Sequence, residues 1–258
     1  TEEWVVVSSK KLGEPTNLLP NTWVVELDAK EALEYISKLY SEGTIEVAYP
    51  LVKRQMSPKW IPNDTYFDEQ WHLENTGQDN GVAGEDVNIT GAWNNYRGTG
   101  VVIGIVDDGL EWDHDDLSAN YESNLDYDYC NYDGNPYPSN WDAHGTAAAG
   151  VAAAVGNNGL GVSGSAPDAS LAGLMLIACG NSDQDEANAL SHMNNDIDIY
   201  SNSWGPSDNG NTLGSAGPLM LAAFEDDAYN GRNGLGNIIT WAAGNGLSNE
   251  DDSNLDAY

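Results

Sequence analysis

VVIGIVDDGLEWDHDDL occupies residues 101–117. Its first six residues are Val or Ile except Gly104, so both faces of an extended segment are apolar. That pattern predicts a buried strand, parallel to its neighbours and covered on both sides. The run stops at Asp107-Asp108-Gly109. A carboxylate at the carboxyl end of such a strand sits where open α/β sheets place ligands and chemistry. The plainer alternative is an Asp-Gly turn that ends the strand.

On either side, apolar segments alternate between strand and helix character. Gly91–Tyr96 reads as a short helix, and Asn120 to Asp142 as an irregular Tyr-, Asp- and Asn-rich loop. A small-residue helix over Thr146–Ala154 leaves through Gly156–Gly161. Strands follow at Ser170–Ile177, Ile197–Asn202 and Ile238–Ala243, interleaved with helices at Asp183–Asn194 and Leu219–Tyr229. The alternation predicts an α/β fold: a doubly wound, mostly parallel sheet with helices on both faces.

A separate small α/β unit is expected ahead of it. Trp4–Val7, Thr22–Leu27 and Thr44–Tyr49 read as strands. Between the last two, Asp28 and Glu31 suggest a capping box for a helix ending at Gly43, with Ala32, Leu33, Ile36, Leu39 and Tyr40 on its packed face. Residues 50–62, holding three prolines and Lys53-Arg54, read as an exposed linker. The expected division is 1–54 and 55–258.

The 258 residues carry a net charge of −32, unevenly spread. Beyond residue 60, only Arg97 and Arg232 stand against 32 acidic residues. Such a field repels nucleic acid and anionic membranes, and attracts cations and basic partners. High-salt adaptation gives the same composition. No run approaches the ~18 apolar residues of a membrane span. Cys130 and Cys179 fit one bridge or two buried thiols.

Polar residues fall at three junctions: Asp107, His144 in His-Gly-Thr ahead of the small-residue helix, and Asn245 between glycines after a buried strand. An Asp that holds a His in one tautomer makes a general base, and an Asn amide can stabilise an oxyanion. A lone His is more often structural, and Asn-Gly more often a turn.

Taken together, DTYFDEQWHL, GIVDDGLEWDHDDL, AHGT, GNNGLGVSGSAP, DIDIYSNSWGPSD and WAAGNG resemble the subtilisin-like serine proteases, specifically the kexin/furin-type proprotein convertases and their bacterial relatives. The resemblance covers nearly all of residues 63–258. It implies Asp107 as triad carboxylate, His144 as general base and Asn245 as oxyanion donor, in the Asp–His–Ser order of subtilisins. The family's nucleophile lies in Gly-Thr-Ser-x-x-x-Pro, and no Gly-Thr-Ser occurs in the 258 residues. Without it the chain is expected to be an inactive fragment of a longer precursor, and the resemblance further implies a secreted or cell-surface, monomeric protein.

The resemblance also implies that residues 1–54 are the later part of a propeptide, processed after Lys53-Arg54. It implies protein or peptide substrates with basic, dibasic sites. Asp208 and Asp256 would meet the first basic side chain, Asp108 the second with help from Asp142, and Glu186 a further one. Gly214 stands where convertases often carry another acid, which speaks against a four-residue requirement. Calcium is the implied metal. Asp64, Asp116 and Asn158 with the carbonyls of Val155, Leu160 and Val162 match one site. Asp128, Asp133 and Asn135 match a second, and Asp208 with Asp251 part of a third. Two rivals remain: a broad-specificity subtilase with a salt-adapted surface, and a catalytically dead, calcium-stabilised binding module.

Overall fold

The computed structural model describes residues 2–16, 19–28, 30–52, 60–139 and 141–257. Lys53 and Arg54 lie outside the described residues. The chain divides into two compact units between residues 58 and 59.

In the first unit, strands β1 (Glu2–Val7), β2 (Glu14–Pro15), β3 (Thr22–Leu27) and β4 (Val47–Pro50) form an antiparallel sheet in the order β2-β3-β1-β4. Helix α1 (Ala32–Ser41) carries Leu39 into a small core with Val6 and Ile45, and Ile36 packs against it. Leu33 and Tyr40, expected on the packed face, are exposed. The sheet covers only the narrow stripe of Ala32, Ile36 and Leu39, and positions one residue further round the helix miss it. The expected capping box is also absent. Asp28 closes a turn ahead of the helix, accepting the Lys30 amide on its carboxylate at 2.9 Å, and Glu31 makes no side-chain cap. The helix ends as expected at Gly43, whose amide bonds to the Tyr40 carbonyl while that of Thr44 reaches Leu39.

The second unit is built on a five-stranded, wholly parallel sheet. Its members are β5 (Val102–Asp107), β6 (Tyr127–Asp128), β7 (Ser170–Met175), β8 (Ile199–Asn202) and β10 (Ile238–Trp241), in the order β10-β8-β5-β7-β6. Two further two-residue strands, β9 (Gly214–Ser215) and β11 (Asp256–Ala257), pair with each other. β6 falls in the loop expected to be irregular.

Alternation along β5 sends side chains to two cores. Ile103 and Ile105 pack with Ala149 and Ala153 of helix α2 (His144–Ala153). Val106 joins the opposite core, with Ala189 and Leu190 of α3 (Asp183–Leu190) and Met220 of α4 (Pro218–Tyr229). Helices therefore cover both faces, as the sequence predicts. β5 is central: the chain passes first to β6 and β7 on one side, then to β8 and β10 on the other. The carboxyl end of β5 is thus the topological switch point, where such sheets open a crevice.

Candidate active site

Asp107 is the last residue of β5 and only 1% exposed. Its carbonyl accepts the amides of Leu176 and Ile177, which fixes the backbone at the sheet edge. Its carboxylate lies 2.8 and 3.0 Å from Nδ1 of His144, the first residue of α2. Two oxygens on Nδ1 require that nitrogen to carry the proton, so Nε2 is the basic nitrogen of the neutral ring. The imidazole is largely exposed, its side chain 59% accessible, while the carboxylate behind it is sealed. The bond to Asp107 and its charge raise the His144 pKa above 6.5. Burial pushes Asp107 upward, and the bond to His144 pulls it partly back.

The small residue after the histidine makes this approach possible. A Cβ on Gly145 would sit 2.1 Å from the Gly109 carbonyl oxygen and 2.8 Å from Cβ of Asp107. The loop leaving β5 is also tied to α2 by the Glu111 amide, which donates to Thr146 Oγ1 at 2.9 Å. Asp108 completes the junction. Its carboxylate accepts the Gly145 amide at 2.7 Å and the His144 amide at 3.1 Å. The adjacent residue of β5 and the residue after it thus hold His144 by its ring and by its backbone.

Asn245 follows β10 at the same carboxyl edge of the sheet and is exposed. Its backbone amide donates to Asp208 at 3.0 Å. Asp208 and Asp251 line a cavity of about 200 Å³ together with Ala243, Gly244, Gly246, Leu247 and Asp252. Asp252 was not singled out from the sequence, and only its proximity to Asp251 pointed to it. The backbone of Asp256 pairs with β9, and its side chain lies outside the described residues. Glu186 is in the first turn of α3, its pKa raised by burial and by Asp183 and Asp185. Asp142 accepts the hydroxyl of Ser139 within its own turn. Among the described residues, neither is hydrogen-bonded to the Asp107–His144 pair.

The first candidate calcium set converges on one loop. Asp64 and Asp116 are buried, at 5% and 3% exposure. Asp64 accepts the amides of Asn157 and Asn158, while Asp116 accepts the Asn158 side chain at 2.7 Å and the Val162 amide at 2.8 Å. The Asp116 backbone carbonyl accepts the Val155 amide, and the Leu160 amide caps Asn158 Oδ1. Gly161, at φ +37°, lets the Asp116 carboxylate come where a Cβ would clash. Among the described residues neither carboxylate forms a salt bridge. Two buried carboxylates without a cationic partner, beside the Asn158 amide oxygen, are hard-oxygen donors of the kind calcium takes. Among the described residues, no three His, Cys, Asp or Glu side chains cluster as a metal site.

The second set is dispersed over local bonds. Asp128 accepts the amides of Cys130 and Asn131, Asp133 accepts that of Asn135, and Asn135 Oδ1 accepts Trp112 Nε1. Cys130 and Cys179 form a disulfide that ties this loop to the segment after β7. Both cationic side chains of the second unit seen here, Arg97 and Arg232, are paired, with Asp168 and Asp198.

Against known proteins, the profile of the subtilase family matches residues 98–257. Among curated sequences, PC3-like endoprotease variant B of Hydra vulgaris is 45% identical over 202 residues, 77% of this chain and 28% of that protein. Neuroendocrine convertase 2 of Homo sapiens is also 45% identical over 202 residues, covering 76% of this chain and 32% of the relative. Among solved structures, the serine protease of Aeromonas sobria superposes with a TM-score of 0.63 at 31% identity, over 75% of this chain and 34% of that one. A protease from Pseudoalteromonas arctica gives 0.58 at 26% identity, over 71% and 59%. The chain thus spans about a third of the length of the curated relatives it matches.

Proposed function

The chain belongs to the subtilase family, and from that premise we propose that it supplies the Asp–His half of a serine endopeptidase that cuts proteins or peptides after basic, dibasic sites. The observation that carries the reading is the sealed Asp107 carboxylate on Nδ1 of an exposed His144, at the switch point of the sheet. In the proposed reaction, a serine outside these 258 residues attacks the peptide carbonyl. His144 Nε2 takes its proton and returns it to the leaving amine, and Asp107 stabilises the imidazolium. Asn245 donates to the oxyanion. Loss of one such donor costs about 10²- to 10³-fold in kcat, a value known from a subtilisin itself.

Preference for basic substrates is supported by charge. A cation entering a desolvated cleft needs a carboxylate, and Asp208, assigned to the first basic side chain, lines a small cavity and accepts the Asn245 amide. Of the other acids, Asp256 belongs in this reading to the same first subsite as Asp208, Asp142 to the second and Glu186 to a further one. Asp64, Asp116 and Asn158 with the Val155, Leu160 and Val162 carbonyls would hold calcium, which neutralises two buried carboxylates and orders the loop. The Asp128–Asp133–Asn135 and Asp208–Asp251 sets are weaker proposals of the same kind. The first unit would serve as the propeptide, released after Arg54. A disulfide suits an oxidising, secretory compartment, and no helix among the described residues is long and apolar enough to cross a membrane.

The test is hydrolysis by the protein expressed from its complete reading frame, using peptides that differ only in Arg-Arg or Leu-Leu before the scissile bond. Preference for Arg-Arg by about 100-fold or more in kcat/KM, the scale of a desolvated ion pair, is expected. Equal rates favour the salt-adapted, broad-specificity enzyme, and absence of hydrolysis favours the binding module.

A further inference from the structure

The resemblance gives Asp108 to substrate recognition, but its carboxylate is occupied in a different way. We propose that Asp108 is a positioning residue that anchors the base-bearing helix. This rests on the Asp107–His144 pair acting as proposed above.

Helix α2 begins at His144 and has no cap of its own, because its N-cap residue is Ala143. The first amides of a helix have no intrahelical acceptor. Here those of His144 and Gly145 are both taken by Asp108, one on each carboxylate oxygen, across a separation of 36 and 37 residues. A negative charge at this end is also favoured by the helix dipole. The ring of His144 reaches Asp107 through only two side-chain torsions, so its position follows the backbone closely. Adjacent residues therefore divide the work: Asp107 sets the tautomer and Asp108 sets where the ring stands. Gly145 lies within 3.2 Å of the Asp108 carboxylate at the position a Cβ would take, which keeps the clamp short. Nothing in this arrangement depends on which side chain occupies a substrate subsite.

The experiment compares Asp108→Ala and Asp108→Asn in the 258-residue chain, by amide hydrogen exchange and by NMR titration of His144. Asp108→Ala should lower protection of the His144 and Gly145 amides by tenfold or more while β5 amides stay protected, and should move the His144 titration to lower pH. Asp108→Asn keeps one acceptor and should fall between. Unchanged protection and titration in both variants overturn the proposal. These readouts need no proteolysis, so they stand apart from failure of the protease reading. In the complete protein, kcat should fall alike for Arg-Arg and Ala-Arg peptides. A loss confined to KM for Arg-Arg would instead assign Asp108 to substrate recognition alone and overturn the positioning role.

Discussion

Gly145→Ala sets two physical effects against each other. Helix propensity favours Ala over Gly by roughly 1 kcal/mol, so on local grounds the substitution stabilises α2. The structure opposes this, because the new Cβ would stand 2.1 Å from the Gly109 carbonyl oxygen and 2.8 Å from Asp107 Cβ. Both neighbours belong to backbone or to the end of the central strand, and neither can swing away. Relief to an ordinary contact of about 3.5 Å requires α2 to withdraw by roughly 1 Å or more. The Nδ1–carboxylate distances of 2.8 and 3.0 Å would then pass the ~3.5 Å beyond which the hydrogen bond is lost. Overpacking of this kind costs about 1–3 kcal/mol, which outweighs the propensity gain. A 1 Å misplacement of a reacting group costs on the order of 10²-fold in rate. Thermal unfolding and the His144 titration should therefore show a lower Tm and a titration shifted toward 6.5. A Tm at or above wild type with an unshifted titration would refute the steric argument.

Three further outcomes follow from particular groups. Because His144 is raised above 6.5 by Asp107 and must be neutral to act as a base, the acid limb of kcat/KM should lie above pH 6.5. Asp107→Asn should move that limb to lower pH and reduce kcat by about 10⁴-fold, whereas an unmoved limb would remove His144 from the base role. Reducing the Cys130–Cys179 bridge, whose ends are 49 positions apart, should cost about 4 kcal/mol in denaturant unfolding, and a loss below about 1 kcal/mol would contradict this. Asp227 is buried, one oxygen lacks a hydrogen-bond partner, and burial raises its pKa from 3.8 to about 6. Its folded pKa exceeds the unfolded value, so stability present below about pH 4 is lost as pH rises through 6. Asp227→Asn should thus recover up to about 3 kcal/mol at pH 8 and nothing at pH 4, as read by Tm at both values; equal shifts would count against the titration.

The parallel sheet was legible because Val101 to Val106 is apolar on both faces and stops at two carboxylates. From residue types alone, His144 and Asp107 are legible only as polar groups at plausible junctions; their pairing is legible through the family resemblance, and the contact itself is a consequence of the fold. β6, β9 and β11 are two residues long, too short for any periodicity to register. The exposure of Leu33 and Tyr40 depends on the width of the sheet beneath α1, which no helical pattern encodes. The caps supplied by Asp108 to α2 and by Asp183 to Leu219 and Met220 of α4 join residues far apart in the chain. A local capping pattern involves only the residues just before a helix, so neither cap is encoded in one. The disulfide is undetermined by sequence for a similar reason: two cysteines fix a possible pair but not the approach of the loops after β6 and β7.

Labelling with a fluorophosphonate, which reacts with a serine only when a base activates it, addresses the central claim most directly. The protein expressed from its complete reading frame should take up the label at one serine, and His144→Ala should abolish uptake while preserving the fold. Absence of label in the unaltered protein, or equal labelling in the variant, would contradict the assignment of Asp107 and His144 to a serine protease centre.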